Sequence, residues 1–579
     1  MAKTPPALPL GAMERYEAAR RALDAGSAAQ AQAILHDLIR IAPRLAAAHQ
    51  LLGVVLTRLG DAAGAESAYR LALALDKRDP FSHSLLASFL AQQGRPEEAE
   101  RLYRAALALD RRSPPAVLGL SRLLQKTGRP ADAAQVTAPL VAGAKADAIM
   151  LELHTQALVG AGRPQDALPF SRRAAVAGVP HAELGTAQLL ADLGRFAEAE
   201  EVFRTVLARD PGDERARRGL ARAAFAGPEG VNGAIAALDE GLARQWSLTL
   251  AAFKASLLNQ AARSAEAFAL LQDAIARQPG DPSLHAAAAT AAALSLQPED
   301  AHAHAERAAQ LAPDNDEIAV LLAETGLGSG RVDQALGLLQ ALRRKAPLDQ
   351  KRIALTVVTQ RLLGDDRYRA LYDYDRFVRA YTLEPPKGWS SLEAFLADLA
   401  TRLGEILDGQ GATLDQSVRQ GAQTNVNLVN SRDPLIKALF SALDKPIADY
   451  IAGLGRSEDP LAEPLRARNR GGFAYGGAWT VRLNPDGGRH VNHIHAEGWL
   501  SSAFYVQLPG VMRSEAGRDG WIQFGEPNLP TPKPLPAEHW VKPQTGRLVL
   551  FPSYMWHGTL PFGGADRRTT FAFDVIPKG

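Results

Sequence analysis

The hydrophobic and polar positions of the chain change their pattern twice, which predicts three regions. Alanine and leucine dominate residues 1–345, in segments such as RAALALDRRSP. Residues 346–455 contain the stretch SLEAFLADLATRLGEIL, whose apolar side chains share one face of a helix. Across residues 456–579, short runs of β-branched and aromatic residues are separated by glycine and proline, which is typical of a β-sandwich or closed barrel. The pattern predicts a multidomain α + β protein.

The first region repeats with a period of 34 residues. Glycines recur at this spacing, and an alanine follows each glycine by five residues. These positions are Gly26, Gly60, Gly94, Gly128 and Gly162, with Ala31, Ala65, Ala99, Ala133 and Ala167. Glycine permits a tight turn, alanine lets helices approach closely, and the aromatic rings of Tyr69 and Tyr103 are expected to fill the groove between helices. The pattern resembles the tetratricopeptide repeat, a helix-turn-helix unit, and predicts an α-solenoid of about nine repeats.

Such an array presents a concave surface on which another molecule can dock. We therefore expect the repeats to bind a protein or peptide or to form a homo-oligomer. An inert spacer is the alternative interpretation. The repeats between Asp210 and Pro313 match the pattern weakly, so the sequence does not fix their boundaries.

Candidate chemistry is concentrated in two stretches of the last region. RHVNHIHAEGWLSSAFY places His493 and His495 two residues apart, and side chains at this spacing share one face of a strand. GRLVLFPSYMWHGTLPF places His557 after an apolar run and a Pro-Ser turn, and Arg568 follows on an alternating segment. Two ligands from one strand, a third from another and a distant arginine predict a facial metal site with room for an anionic co-substrate.

The two stretches resemble the Fe(II)- and 2-oxoglutarate-dependent oxygenases. This resemblance implies a double-stranded β-helix (jelly-roll) domain that binds iron and oxidises a substrate while converting 2-oxoglutarate to succinate. It further implies that His557 is the distal iron ligand and that Arg568 and Thr570 bind the far carboxylate of 2-oxoglutarate. Tyr505 would donate a hydrogen bond to the same carboxylate from the facing strand.

The iron ligands leave two alternatives, because the family has Asp or Glu at the position of His495. One set is His493, His495 and His557, a three-histidine site. In the other set, His495 and Glu497 replace His493 and His495, which restores a carboxylate ligand. Both pairs have the same two-residue spacing. We favour the three-histidine set, since Glu497 precedes Gly498 and is expected to lie in a turn.

Four other side chains of this region have expected positions. Trp479 and Arg482 precede the histidine motif on a strand and could face the cavity. His490 should point away from the metal if its strand is regular. His539 lies in a proline-rich stretch and is expected at the surface.

The middle region is expected to be a helical connector that packs on the outside of the β-domain. Gln416, Arg419 and Gln423 belong to its polar segment. We interpret this segment as a solvated loop, although it could also line a substrate channel.

Composition narrows the classes of function. The chain has 65 Lys and Arg against 63 Asp and Glu, so nothing indicates a general nucleic-acid or membrane-surface binder. The absence of cysteine excludes disulfides and thiolate metal sites. Since no apolar run approaches the roughly 20 residues of a membrane span, and no signal peptide is recognisable, we expect a cytoplasmic protein.

The sequence as a whole predicts an Fe(II)- and 2-oxoglutarate-dependent dioxygenase that hydroxylates a protein or peptide recruited by the repeat groove. Two alternatives remain open. One is an inactive interaction scaffold with a metal-binding jelly roll, and the other is a cupin-like metalloenzyme that does not use 2-oxoglutarate.

Overall fold

The fold was analysed in a computed structural model, which describes residues 9, 11–143, 146–408, 417–424, 426–454, 472–485, 487–514 and 517–578. The chain forms two compact units, Met1–Ala182 and Glu183–Gly579. The two domain boundaries predicted from the sequence, after residues 345 and 455, both lie within the second unit. The candidate channel residue Gln416 lies outside the described residues.

The first unit consists of helices. They are α1 Ala12–Asp24, α2 Ala28–Ile41, α3 Ala46–Leu59, α4 Ala62–Leu75, α5 Pro80–Gln92, α6 Pro96–Leu109, α7 Pro114–Lys126, α8 Pro130–Val141, α9 Ala148–Gly160 and α10 Pro164–Val176. Consecutive helices pack as antiparallel pairs, as the 34-residue period predicts.

The second unit begins with more helices of the same kind. They are α11 Ala182–Asp192, α12 Phe196–Arg209, α13 Glu214–Ala226, α14 Gly230–Arg244, α15 Leu248–Gln260, α16 Ser264–Arg277, α17 Pro282–Leu294, α18 Pro298–Leu311, α19 Asp316–Gly328, α20 Val332–Lys345 and α21 Gln350–Leu363. Three further helices follow: α22 Tyr374–Phe377, α23 Leu392–Leu407 and α24 Pro434–Gly453.

The turns of the repeats explain why the glycines recur. Each glycine of the 34-residue series adopts a left-handed backbone, with φ between 67° and 80°. In the weakly matching repeats the same backbone occurs at Ala262 (φ 57°) and Leu296 (φ 59°), which precede Gly330 at intervals of 34 residues. Helices α1–α20 therefore form ten pairs in the described chain, against about nine predicted, because two turns lack the glycine that marks them.

The predicted role of the aromatic residues is confirmed. Tyr69 packs so closely on Gly53, and Tyr103 on Gly119, that neither glycine has room for a Cβ atom. The buried alanines lie where the helices approach each other, and Ala65 and others of the series are fully buried. The apolar positions of the repeats thus form a core between neighbouring helices.

The second unit ends in a β-domain of antiparallel sheets. Its strands are β1 Arg379–Thr382, β2 Val418–Arg419, β3 Gly421–Gln423, β4 Phe473–Leu483, β5 Arg489–His490, β6 Leu500–Gln507, β7 Ile522–Phe524, β8 His539–Val541, β9 Arg547–Pro552, β10 His557–Thr559 and β11 Arg568–Pro577. They form a six-stranded sheet in the order β1-β9-β6-β11-β4-β3, a three-stranded sheet β10-β7-β8 and a two-stranded sheet β2-β5. The α-solenoid followed by an antiparallel β-domain agrees with the predicted fold class.

The central strand β11 separates the helices from the interior of the β-domain. Phe571 lies 5.7 Å (ring centroids) from Phe440 of α24, on the helical side of the sheet. Arg568, Thr570 and Ala572 alternate with it and line a cavity on the opposite side. Because side chains alternate along this strand, one of its faces packs against the helices and the other faces the cavity.

The connector also supplies strands to the β-domain. Its strand β1 pairs with β9 at one edge of the six-stranded sheet, and β3 pairs with β4 at the other edge. The segment that we interpreted as a solvated loop is in part strand, because pairing to a sheet edge satisfies its backbone polar groups. None of the helices in the described residues is long and apolar enough to cross a membrane.

Candidate metal and co-substrate site

Three histidines meet at the junction of two chain segments. His493 and His557 form an antiparallel bridge, in which the amide of each donates to the carbonyl of the other over 2.8 and 3.0 Å. The His495 amide donates to the carbonyl of Ser553 over 3.0 Å. One potential ligand atom from each imidazole lies within 4.8 Å of the others, which suits a single metal ion. The structure thus brings together the three histidines of the favoured set.

Each imidazole has its Nδ1 atom occupied by the protein. The Nδ1 of His493 lies 2.8 Å from the carbonyl of Val491, and that of His557 lies 2.9 Å from the carbonyl of Met555. The Nδ1 of His495 lies 2.7 and 2.9 Å from the two carboxylate oxygens of Asp574. Because these partners accept hydrogen bonds, each Nδ1 carries a proton, which leaves the Nε2 atoms as the potential ligand atoms, and those of His493 and His495 lie 3.1 Å apart.

The environment keeps the rings of His493 and His557 neutral. Desolvation, helped by the neighbouring His495, lowers the pKa of His493 to about 3. Desolvation and the adjacent histidines lower the pKa of His557 well below the ordinary imidazole value. A neutral imidazole is the form that binds a metal, so His493 and His557 are in the metal-binding form at neutral pH.

Glu497 lies apart from this cluster. It is exposed in the turn that follows His495 and is not in the group of atoms that could share one ion. The carboxylate that reaches the cluster is that of Asp574, and it contacts the Nδ1 side of His495. This geometry supports the three-histidine set, which remains a proposal as a ligand assignment.

Arg568 is the notable charge in the cavity wall. Its side chain is buried, its Nη1 donates to the carbonyl of Gly520 over 3.0 Å, and its guanidinium lies 5.1 Å from the ring centre of Tyr505. Desolvation lowers the pKa of Arg568, while the pKa of Tyr505 is raised by burial. The Nε of Arg568 and the hydroxyl of Tyr505 have no hydrogen-bond partner among the described residues. Two buried donors without acceptors mark a place for an anion.

Thr570 and Tyr505 face the same side of the sheet as this arginine. They are directly opposite each other in the pairing of β11 with β6. Thr570 lines the cavity itself. Arg568 and Thr570 therefore line the cavity, and Tyr505 lies opposite Thr570 with its ring against Arg568; their role in binding 2-oxoglutarate is a proposal.

The cavity connects the histidine cluster with the arginine. It has a volume of about 180 Å³, the size of a small carboxylic acid rather than a large ligand. The six-stranded sheet contributes Trp479, Ser502, Ala503, Phe551, Arg568, Thr570 and Ala572, and the smaller sheets contribute His490, Ile522, His557, Gly558 and Thr559. Imidazole nitrogens at one side and a guanidinium at the other fit Fe(II) and a dicarboxylic keto acid.

Two expectations for neighbouring residues are wrong. His490 lines the cavity, with its ring 5.9 Å from that of His493, because the strand is irregular between these residues. Its Nδ1 lies 2.9 Å from the hydroxyl of Ser417. Arg482 lies opposite Thr569, on the face away from the cavity, and its guanidinium pairs with an exposed aspartate.

Other positions were anticipated only in part. Trp479 lines the cavity, as expected, with its ring 5.7 Å from that of His495. Gln423 also lines the cavity, so the solvated-loop interpretation is wrong for this residue. His539 is half-buried in β8 and stacks on Tyr374 at 5.2 Å rather than lying free at the surface.

Sequence reasoning missed Asp574 as a partner of the histidines. A signal was available, because Arg568, Thr570, Ala572 and Asp574 alternate on one strand and so share a face. Ser417 carried no such signal, since its place in the cavity depends on the pairing of β2 with β5.

Comparison with protein-family models agrees with both parts of the chain. Residues 477–574 match the family described as "Putative 2OG-Fe(II) oxygenase". Models described as "Tetratricopeptide repeat" match residues 16–82, 90–157, 158–223, 190–257 and 292–356. The oxygenase match includes all three clustered histidines and the buried arginine.

Solved structures similar to this chain are repeat proteins. One is YrrB, described as a TPR protein with an unusual peptide-binding site. It is 23% identical, with 32% of this chain and 95% of that chain covered, at a TM-score of 0.28. Another is PilF of Pseudomonas aeruginosa, 20% identical, with 36% of this chain and 95% of that chain covered, at a TM-score of 0.31.

A search of curated proteins found no match. The family models and the fold agree with each other for both the repeats and the β-domain. The chain is a tetratricopeptide-repeat protein that carries, at residues 477–574, a domain matching the family model described as "Putative 2OG-Fe(II) oxygenase".

Proposed function

We propose that the β-domain is a 2-oxoglutarate-dependent non-haem iron dioxygenase that hydroxylates a protein or peptide recruited by the repeats. The observation that carries this proposal is a buried guanidinium, that of Arg568, in the same small cavity as three convergent imidazoles. A metal-binding scaffold has no need of an unpaired buried cation. An enzyme that binds a keto acid between metal and cation does.

The proposed roles follow from the contacts. His493, His495 and His557 would hold Fe(II) through their Nε2 atoms, since each Nδ1 is occupied. With three protein ligands, the metal would remain open to a chelating keto acid. When bound, iron and 2-oxoglutarate supply the oxidising chemistry, and the protein supplies binding and orientation.

The far carboxylate of 2-oxoglutarate has a place at the other side of the cavity. The Nε of Arg568 and the hydroxyl of Tyr505 are the unpartnered donors there, and Thr570 adds a hydroxyl. Charge-assisted hydrogen bonds from a guanidinium are short and strong in a dry site. These groups would orient the keto acid so that its oxo end faces the histidines.

The repeats provide a surface for the proposed polypeptide substrate. A groove of about 450 Å³ lies between α5, α6 and α7 of the first unit. Phe81, which is 46% exposed, and Leu118 give it apolar contacts, and Arg122 and Lys126 give it positive charge. Grooves of this kind suit an extended peptide that carries apolar and acidic side chains.

Succinate formation from 2-oxoglutarate under air, with and without Fe(II), tests the proposal. We expect iron-dependent succinate formation by the wild type, and a Kd for 2-oxoglutarate at least about thirtyfold higher in Arg568→Ala, because truncating one partner of a buried charge pair costs about 2 kcal/mol or more. Arg567→Ala is the matched control, since this neighbouring arginine is exposed.

The alternatives predict different results. An inactive scaffold would bind metal and form no succinate. A cupin-like metalloenzyme would bind metal, and Arg568→Ala would leave its affinity for 2-oxoglutarate as weak as that of the wild type. Unchanged metal content in a His493→Ala/His557→Ala double variant would show that the ligand assignment is wrong.

A further inference from the structure

The three candidate ligands differ in what holds their outer nitrogen. His493 and His557 each donate to a backbone carbonyl, which is neutral. His495 donates to Asp574, the one carboxylate bonded to any of the three imidazoles in the described chain. Imidazole ligands bring no negative charge to a metal, and Asp574 supplies one at the outer nitrogen of His495.

The carboxylate is fixed by a buried polar network. The hydroxyl of Ser501 donates to Oδ1 of Asp574 over 2.8 Å, and the hydroxyl of Ser553 lies 2.8 Å from that of Ser501. Both serines are fully buried. The same Ser553 accepts the amide of His495 at its carbonyl, so the network holds the backbone and the ring of one ligand.

The backbone beside this network is shaped for close approach. A Cβ atom at Gly498 would lie 2.5 Å from the hydroxyl oxygen of Ser553 and 3.1 Å from the carboxylate carbon of Asp574. Only a residue without a side chain fits there. The turn after His495 is therefore built around the carboxylate.

We propose that Asp574 is a positioning residue that gives His495 the character of an anionic ligand. This inference rests on the proposed metal site. A carboxylate on the outer nitrogen fixes the tautomer of an imidazole and raises its basicity toward a metal. Asp574 would thus supply negative charge to the metal through His495, whereas a carboxylate ligand supplies it by direct coordination.

The proposal distinguishes Asp574 from a residue that only supports the fold. A structural role requires its shape and hydrogen bonds, which asparagine largely reproduces. An electrostatic role requires its charge, which asparagine removes. Asp574→Asn should therefore weaken metal binding without an equal loss of apo-protein stability.

Titration of the metal-free full-length protein with Mn(II) and Co(II), together with the visible spectrum of the Co(II) form, tests this inference. We expect Asp574→Asn to raise the Kd by about 10- to 100-fold and to shift the Co(II) bands, because the ligand field of His495 changes. Asp444→Asn is the control, since it removes the charge of a carboxylate on α24, outside the cavity, that accepts a hydrogen bond from Tyr475 of β4. A Kd within threefold of wild type, with an unchanged spectrum, would overturn the inference.

A second variant keeps the test decisive if the asparagine variant does not fold. Asp574→Ala leaves a space beside His495 that formate can enter. Formate, and not the neutral formamide, should restore at least tenfold of the lost Mn(II) affinity. Equal effects of both additives, or none from either, would contradict an electrostatic role. Wild type that binds neither Mn(II) nor Co(II) would instead reject the proposed metal site.

Discussion

At the scale of single residues, the most consequential feature is the buried cation of Arg568, which has no anionic partner among the residues that the structure describes. Burying an unpaired charge costs several kcal/mol, and the contacts of Arg568 in the described residues include the carbonyl of Gly520 and the ring of Tyr505 but no carboxylate ion pair. A buried charge of this kind is expected where a ligand of opposite charge binds. The unpartnered hydroxyl of Tyr505 at the same wall has the same explanation.

Tyr505→Phe separates stability from ligand binding. It removes a buried hydroxyl that has no partner among the described residues, so we expect the free energy of unfolding without ligand to stay within about 1 kcal/mol of wild type. The Kd for 2-oxoglutarate should rise, since one donor to its carboxylate is lost. Chemical denaturation and equilibrium binding measure the two effects. A strongly destabilised variant with unchanged binding would contradict the assignment.

The turn glycines allow another residue-scale prediction. Gly330 has φ 80° with open space around it, so Gly330→Ala should destabilise the second unit by about 1–2 kcal/mol through backbone strain alone. Gly337 lies within α20, also with open space around it. Gly337→Ala should therefore stabilise by about 0.5–1 kcal/mol. Urea denaturation of both variants measures the difference, and two changes of the same sign would refute the explanation.

At the scale of elements, the end of the solenoid is joined to the β-domain within the second unit. Arg361 of α21 donates to the carbonyls of Gly525 and Pro536 and lies 3.3 Å from Glu538. It thereby closes the proline-rich loop between β7 and β8. Since β7 contributes Ile522 to the cavity wall, this contact connects repeat packing to the site.

Loss of the Arg361 contacts should therefore be costly. We expect Arg361→Ala to lower the free energy of unfolding by about 3 kcal/mol, because it leaves two carbonyl acceptors without their donor and removes the cation beside Glu538. Arg369→Ala is the control, since that arginine is exposed in an ion pair with Asp366 and should matter little. Similar stabilities of the two variants in urea would count against this role.

A histidine pair gives the helices α17 and α18 a dependence on pH. The Nδ1 atoms of His285 and His304 lie 3.0 Å apart, so one ring donates and the other accepts. Desolvation, with His285 contributing, lowers the pKa of His304 below its usual 6.5. Between the lowered value and 6.5 the unfolded chain binds more protons than the folded one. This contribution to stability is thus present above pH 6.5 and is lost as the pH falls below it.

The measurement is the slope of unfolding free energy against pH between pH 5 and 6.5. We expect a smaller slope in His304→Gln than in wild type. His36→Gln removes an exposed histidine and serves as the control. An unchanged slope in the first variant would show that the pair does not titrate in this range.

At the scale of the molecule, all the candidate ligands belong to the second unit. Mn(II) at about 100 times its Kd should stabilise that unit against unfolding by about 2.7 kcal/mol. Hydrogen exchange should slow in peptides from β6, β9 and β11 and stay unchanged in α1–α10, which contain none of the clustered histidines. His557→Ala should abolish the effect. Protection spread equally over both units would argue against a local metal site.

The sequence by itself determined the features that repeat or alternate. The 34-residue period required helix pairs, because glycine at each turn is the residue that adopts a left-handed backbone without strain. The alternation along β11 placed Arg568, Thr570 and Asp574 on a common face. His493 and His495 lie between β5 and β6, so their convergence comes from their backbone contacts with His557 and Ser553 rather than from strand alternation. Such local rules hold wherever the chain is regular.

Only the tertiary structure decided where the residues of irregular segments lie. Ala262 and Leu296 form turns that no residue type signals, because packing of the flanking helices imposes the backbone. His490 enters the cavity since its strand is interrupted, and Glu497 leaves it in a turn. The pairing of His495 with Asp574 joins segments 79 residues apart. Their meeting depends on sheet order, which local sequence does not encode.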